Sequence, residues 1–164
     1  MKPRLHLSLQ QPDGRHRDCL RRHRVARWVS LALQSPAEIT VRVVDAEEGR
    51  RLNREFRGQD HATNVLTFDY AREPVVVADI VLCAAVVARE AQELGISVDD
   101  HYAHLLIHGS LHALGHDHVR AAQARVMEGL ETQLLSSLGI ADPYRQRDRS
   151  GVRAAPQRRR ELPR

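Results

Sequence analysis

A nearly continuous apolar run, VVVADIVLC at residues 75–83, sets the strictest limit on how this chain can fold. A short run of β-branched and aliphatic residues is typical of a strand that is covered on both faces. The run is therefore predicted to lie deep within a sheet rather than at its edge.

Three further segments alternate apolar and polar residues in the period-two pattern of half-buried strands, at residues 4–9, 38–45 and 63–70. Between and after them the pattern becomes helical, at residues 15–34, 46–56, 84–94, about 100–114 and 121–138. Asp99 or Asp100 is expected to cap the fourth helix, and Gly95, Gly115 and Gly139 are placed to end helices. The sum is an α+β fold, a small mixed four-stranded sheet packed against about five helices.

The chain has 164 residues, of which 42% are hydrophobic and 28% charged, a composition typical of a folded globular protein. We predict one domain over residues 1–144 and a flexible arginine-rich tail over residues 145–164. No segment resembles a signal peptide or reaches membrane-spanning length, which favours the cytoplasm and predicts no membrane partner. Cys19 and Cys83 lack a paired spacing and are interpreted as buried or free thiols.

The formal charge is +4, and Lys2 is the only lysine, so nearly all the positive charge is arginine. A guanidinium matches phosphate oxygens better than an ammonium does, which favours a polyanionic partner. The arginines 158–160 of the tail could follow an RNA backbone, although a solvated charged tail is the commoner meaning of such a run.

The segment HYAHLLIHGSLHALGHDH, residues 101–118, contains six of the ten histidines. On a helix, His101, His104, His108 and His112 share one stripe. Two histidines four residues apart can both bind one cation, and this spacing fits His104 with His108 as well as His108 with His112. A helix that ends at Gly115 can turn back and bring His118 toward the last turn, next to His112 rather than His104.

The predicted metal ligands are therefore His108, His112 and His118, at the C-terminal end of a central helix. Three protein ligands leave a coordination position open for water or substrate, as catalysis requires, whereas structural zinc sites are usually closed by four. Imidazole suits several divalent transition metals. We expect one ion per chain, with zinc as the first choice and nickel as the second.

The spacing of the three histidines equals that of the metzincin proteases, HExxHxxGxxH, including the glycine. Gly109 stands where those proteases carry their general-base glutamate, so peptide hydrolysis through that glutamate is excluded. Asp117 is the carboxylate that could substitute for it. Asp117 could equally accept a hydrogen bond from the N–H of a metal-binding imidazole and so orient the ring, or it could cap the turn.

Three segments together resemble the YbeY family of bacterial endoribonucleases. HGSLHALGHDH, residues 108–118, is similar to the family signature HGxLHLxGYDH. LNREFRGQDHATNVLTF at residues 52–68 and ADIVLC at residues 78–83 match two further family blocks in the same order. The resemblance extends from about residue 38 to residue 144 and places His108, His112 and His118 at the family's metal ligands.

The resemblance implies a metal-dependent, single-strand-specific endoribonuclease that matures ribosomal RNA, notably the small-subunit 3′ end, and takes part in ribosome quality control. Arg57 matches the family's functional arginine, and a fixed guanidinium can neutralise charge that grows on a phosphodiester. The implied partners are single-stranded ribosomal RNA, the small ribosomal subunit and its assembly factors. DNA is not expected.

One residue near the predicted metal site departs from the family pattern, and three others have two possible roles. His116 replaces a tyrosine, and its ring could compete for metal, donate a proton or, as we favour, face solvent. Thr63, Asn64 and Asp79 could line a pocket or make only hydrogen bonds within the strands around them.

Two other functions stay open for the protein. One is a non-catalytic ribosome-assembly factor with a structural metal site, and the other is a metallopeptidase with a non-standard base.

Overall fold

The computed structural model describes residues 3–116 and 119–144. Its strands are β1 (Leu5–Gln10), β2 (Ala37–Val44), β3 (Val65–Ala71) and β4 (Val76–Cys83). Its helices are α1 (Arg22–Ala32), α2 (Ala46–Arg57), α3 (Ala84–Leu94), α4 (Val98–Ala113) and α5 (Ala121–Ser137). Over these residues the predicted α+β class is confirmed. None of the helices described is long and apolar enough to cross a membrane.

The four strands form one mixed sheet in the order β1-β2-β4-β3. β1, β2 and β4 run parallel, whereas β3 lies antiparallel to β4 at one edge. β4 is an inner strand, as its apolar run predicts, and Ile80 and Leu82 on it are fully buried. β1 lies at the other edge, and its residues alternate between half-buried and exposed.

Helix α4 runs through the centre of the domain. It packs against α1, α3 and α5 and also against β3 and β4. Every residue from 101 to 113 except His104 is buried, which a helix surrounded on all sides requires. Polar side chains on this helix are therefore held in a largely dry environment, where they need partners.

Two helix starts differ from the prediction. The first helix begins at Arg22 rather than at residue 15, because residues 16–20 form turns in which the amides of Cys19 and Leu20 donate to the carbonyl of His16. α4 is capped by Ser97, whose hydroxyl accepts from the amide of Asp100 at 3.1 Å, and not by Asp99 or Asp100. Both aspartates lie in the first turn, where their charge favours the helix dipole.

The C-terminal end of α4 agrees with the prediction. Gly115 adopts a left-handed conformation with φ 100°, and its amide donates to the carbonyl of His112 at 2.9 Å. The amide of His116 donates to the carbonyl of Leu111 at 3.0 Å. These two bonds form a Schellman motif, which ends the helix and turns the chain away from its axis. Residues 117–118 and the predicted tail, 145–164, lie outside the described residues.

Candidate metal centre

His108 and His112 are buried neighbours on α4, with 5% and 6% of their surfaces exposed. Their Nε2 atoms lie 3.1 Å apart, and their ring centroids are 4.7 Å apart. Two nitrogens that each bind one ion at about 2.0–2.1 Å would be separated by roughly 3.0–3.4 Å at ordinary coordination angles. The observed separation therefore fits two ligands of one divalent ion. His118, the third predicted ligand, lies outside the described residues.

A carboxylate from α5 meets the same histidines. Oε1 of Glu131 accepts from Nδ1 of His108 at 2.5 Å, and Oε2 accepts from Nε2 of His104 at 2.9 Å. The hydroxyl of Tyr144 also donates to Oε2. Nitrogen or oxygen atoms of His104, His108 and Glu131 all lie within 4.8 Å of one another, so these three residues form a candidate metal site.

Glu131 is completely buried, at 0% exposure. Burial raises its pKa, but the charge interaction with His108 and the hydrogen bonds from His104 and His108 outweigh that effect and hold the pKa well below its ordinary range. The carboxylate is therefore an ionised acceptor at neutral pH.

The sequence carries a signal for Glu131 that the histidine spacing does not reveal. On α5, Met127, Glu131 and Leu135 are four residues apart and all three are buried. An acid in the apolar stripe of a helix is costly unless charged or hydrogen-bonding partners surround it. Its partners come from α4 and from the segment after α5, and the spacing of residues along α5 does not indicate which side chains those are.

Gly109 lies where α4 comes closest to the sheet. A Cβ atom at this position would lie 3.1 Å from both Cγ2 of Ile80 and Oγ1 of Thr67. A side chain here would point at the strands β3 and β4, so a glutamate at this position would be directed into the sheet. The absence of that glutamate thus has a structural reason.

Arg57, the last residue of α2, is held against β3. Its guanidinium donates to the carbonyl oxygens of Thr67 at 2.9 Å and Phe56 at 3.1 Å, and it lies 5.0 Å from the ring centroid of Phe68. Since the side chain of Thr67 faces Gly109, one strand residue connects Arg57 to the helix of the histidines. Phosphate binding by Arg57 and metal binding by the histidines stay predictions.

Several other polar residues singled out by sequence have structural partners. Asn64 is buried; its side chain accepts from the amide of Val65 at 2.6 Å and donates to Glu90 at 2.9 Å. Nε2 of His101 lies 2.9 Å from the same carboxylate of Glu90. Asn64 and His101 thus belong to a buried network that joins β3, α3 and α4.

At the sheet surface, Asp79 accepts from the hydroxyl of Tyr70 at 2.8 Å. His116 is half-buried, and Asp117 lies outside the described part of the chain. The structure thus brings His104, His108, His112 and Glu131 together, and leaves Asp117 and His118 as predictions.

Fold and site together define an α+β protein with a histidine and carboxylate centre on a buried helix. The family model described as Endoribonuclease YbeY matches residues 16–139. A protein of Methylibium petroleiphilum named Endoribonuclease YbeY is 61% identical over 143 residues, which are 87% of this chain and 96% of that protein. One of the same name from Albidiferax ferrireducens is 57% identical over 148 residues, 88% of this chain and all of the relative. This chain therefore belongs to the YbeY family.

A solved structure supports the fold independently of close sequence similarity. The solution structure of a protein from Thermotoga maritima superposes with a TM-score of 0.58 at 23% identity, covering 92% of this chain and 98% of that one. At this level of identity the likeness extends to the fold alone.

Proposed function

We propose that this protein is a metal-dependent endoribonuclease that cuts single-stranded ribosomal RNA in the cytoplasm. Relatives named Endoribonuclease YbeY match this chain over nearly their whole length. The structural observation that supports metal dependence best is the 3.1 Å separation between Nε2 of His108 and Nε2 of His112 on a buried helix. In this proposal His108, His112 and His118 hold the ion, with zinc favoured over nickel.

A bound divalent ion would supply Lewis-acid activation of water or of a phosphate oxygen. The chain itself supplies the phosphate contact. The contacts of Arg57 with Thr67 and Phe68 limit how its guanidinium can turn, so it can meet a phosphodiester with little loss of conformational freedom. A fixed cation beside the cut bond stabilises the charge that develops there more than the charge of the ground state.

The biological setting we propose is maturation of the small-subunit 3′ end and ribosome quality control, with the small subunit and its assembly factors as partners. The excess of arginine suits a phosphate backbone. A peptidase would need a different general base, such as Asp117, because Gly109 faces the sheet.

The first test concerns Arg57. We expect Arg57→Ala to lower cleavage of a single-stranded ribosomal RNA fragment by about 10²- to 10³-fold, as removal of one transition-state donor does elsewhere. Arg54→Ala is the matched control, since Arg54 lies on the same helix with its guanidinium 3.9 Å from Asp60. A variant lacking Arg57 that cuts at the normal rate would contradict the proposed role.

The second arm tests the metal. Chelator and His112→Ala should each abolish cleavage, and zinc or nickel should restore the chelated wild type but not the variant. Cleavage that survives His112→Ala would show that the site is not catalytic or that a contaminant acts. If pure protein leaves RNA intact while a deletion strain accumulates immature small-subunit RNA, the protein is an assembly factor instead. A peptide library in the same assay tests the peptidase alternative.

A further inference from the structure

Glu131 is a buried acid on α5 whose place in the proposed reaction is undefined. It could be a metal ligand together with His104 and His108, since their atoms lie close together. It could instead act on the metal site through His108, the residue common to both candidate ligand sets. The neighbours of the two ring nitrogens of His108 favour the second role.

The two ring nitrogens of His108 have different neighbours. Nδ1 lies 2.5 Å from Oε1 of Glu131, and Nε2 lies 3.1 Å from Nε2 of His112. The contact between Nδ1 and Oε1 joins an imidazole nitrogen to a carboxylate oxygen at 2.5 Å, a hydrogen-bond separation. It is the distance of a strong charge-assisted hydrogen bond. The Nε2 pair, by contrast, has the separation of two ligands.

The bond to Glu131 also determines where His108 carries its proton. In this geometry the carboxylate oxygen is the acceptor and Nδ1 is the donor nitrogen. When the ring is neutral, its lone pair is then on Nε2, the nitrogen that faces His112. A hydrogen bond at the ring nitrogen that does not face the metal fixes both the tautomer and the orientation of a metal-binding imidazole. It also makes the other nitrogen more basic.

Two further donors hold Glu131 itself in place. Nε2 of His104 and the hydroxyl of Tyr144 both point at Oε2, which leaves Oε1 aligned with His108. The carboxylate thus bridges α4 and the segment after α5 from inside a dry core. This arrangement gives the carboxylate little freedom to turn toward another partner.

We infer that Glu131 is a positioning residue for the metal site: its carboxylate presents Nε2 of His108 to the ion and is not itself a ligand. The inference rests on the proposed function, in which His108 and His112 bind the metal. Loss of such a supporting carboxylate typically weakens metal affinity by 10- to 100-fold.

The test compares zinc affinity, by competition with a chromophoric chelator, in wild type and single variants. We expect Glu131→Gln to bind zinc roughly 10- to 100-fold more weakly, while His108→Ala and His112→Ala bind no zinc at this site. His104→Ala should lose less affinity than Glu131→Gln. The cobalt-substituted Glu131→Gln protein should keep the absorption band positions of wild type, because the set of ligand atoms is unchanged. A purely structural role would leave affinity unchanged once the metal-free variant is shown to be folded.

A second measurement uses the wild-type protein, so its result does not depend on whether a variant folds. Long-range proton–nitrogen correlation spectra at pH 8 should show His108 protonated at Nδ1, and zinc should shift Nε2 while Nδ1 keeps its proton. A zinc shift at Nδ1 of His108 would overturn the inference, because Glu131 and His108 would then share the ion through that face.

The outcomes distinguish this inference from the proposed function. If His112→Ala binds zinc normally while His104→Ala and Glu131→Gln do not, Glu131 is a ligand, and both the positioning role and the proposed ligand set are wrong. If His108→Ala and His112→Ala lose zinc but Glu131→Gln keeps wild-type affinity, only the positioning role is wrong. A wild type that binds no zinc or nickel would refute the metal-dependent function while the proton position on His108 is still measurable.

Discussion

Gly109 shows how one residue on α4 fits two demands. Its position in the chain is that of a catalytic glutamate in a family with the same histidine spacing, yet its backbone lies against Ile80 and Thr67. A Cβ here would meet both side chains at 3.1 Å, so glycine lets the helix approach the strands without displacing them. The close approach keeps Gly109, the residue after His108, next to Thr67, whose carbonyl oxygen accepts from Arg57.

We expect Gly109→Ala to destabilise the fold by about 1 kcal/mol. Overpacking against two stiff β-branched side chains costs about 1–3 kcal/mol, and the better helix propensity of alanine returns about 1 kcal/mol. Urea unfolding of the metal-free protein measures the difference. Gly129→Ala on α5 is the matched control, because Gly129 is exposed with no atom within 4 Å of an added Cβ. That control should gain about 0.5–1 kcal/mol. Equal effects at both positions would show that the sheet yields to a Cβ at Gly109.

At the scale of elements, α4 carries the site and connects the layers around it. It receives a polar partner at each of several turns: Glu90 of α3 bonds to His101, and Glu131 of α5 bonds to His104 and His108. Near the N-terminal end, Arg24 of α1 lies 2.7 Å from Asp99. The helix is thus fixed in rotation by neighbours on different sides, which holds His104 and His108 toward α5.

Ser97 caps this helix, so its loss should lower stability without changing the metal site. We expect Ser97→Ala to reduce the free energy of unfolding by about 1 kcal/mol, since the amide of Asp100 loses its acceptor. Ser137→Ala, an exposed serine in the last turn of α5, should change it by less than about 0.5 kcal/mol. A loss of zinc affinity in Ser97→Ala would mean that fraying at the first turn reaches the histidines some ten residues away.

At the scale of the whole molecule, the proposed metal site couples ligand binding to stability. Its ligands stand at the end of the helix that the sheet and three other helices enclose. An ion that binds only the folded chain must therefore stabilise the entire domain. The coupling needs no change in conformation, because the Nε2 atoms already lie at the separation of two ligands.

Zinc at a free concentration of 100 times its dissociation constant should add about 2.7 kcal/mol to the free energy of unfolding. In a domain of this size that corresponds to a rise in Tm of roughly 5–10 °C, measured by calorimetry with and without chelator. His112→Ala should lose the shift, whereas His23→Ala should keep it, because His23 is exposed on α1. A full shift in the His112 variant would place the ion elsewhere.

The sequence by itself determined the elements, the central position of β4, the end of α4 at Gly115 and the stripe of histidines, because each is written in local periodicity and in residues with narrow backbone preferences. It also singled out Arg57 through resemblance to a family; the comparisons confirm membership of that family, and the role of Arg57 stays a prediction. Only the tertiary structure decided that Glu131, 23 residues along the chain, bonds to His108, and that Gly109 faces β3 and β4. Such contacts depend on how each packed helix is oriented about its axis relative to its neighbours and to the sheet. The spacing of residues within one helix does not indicate which side chains of another element they meet.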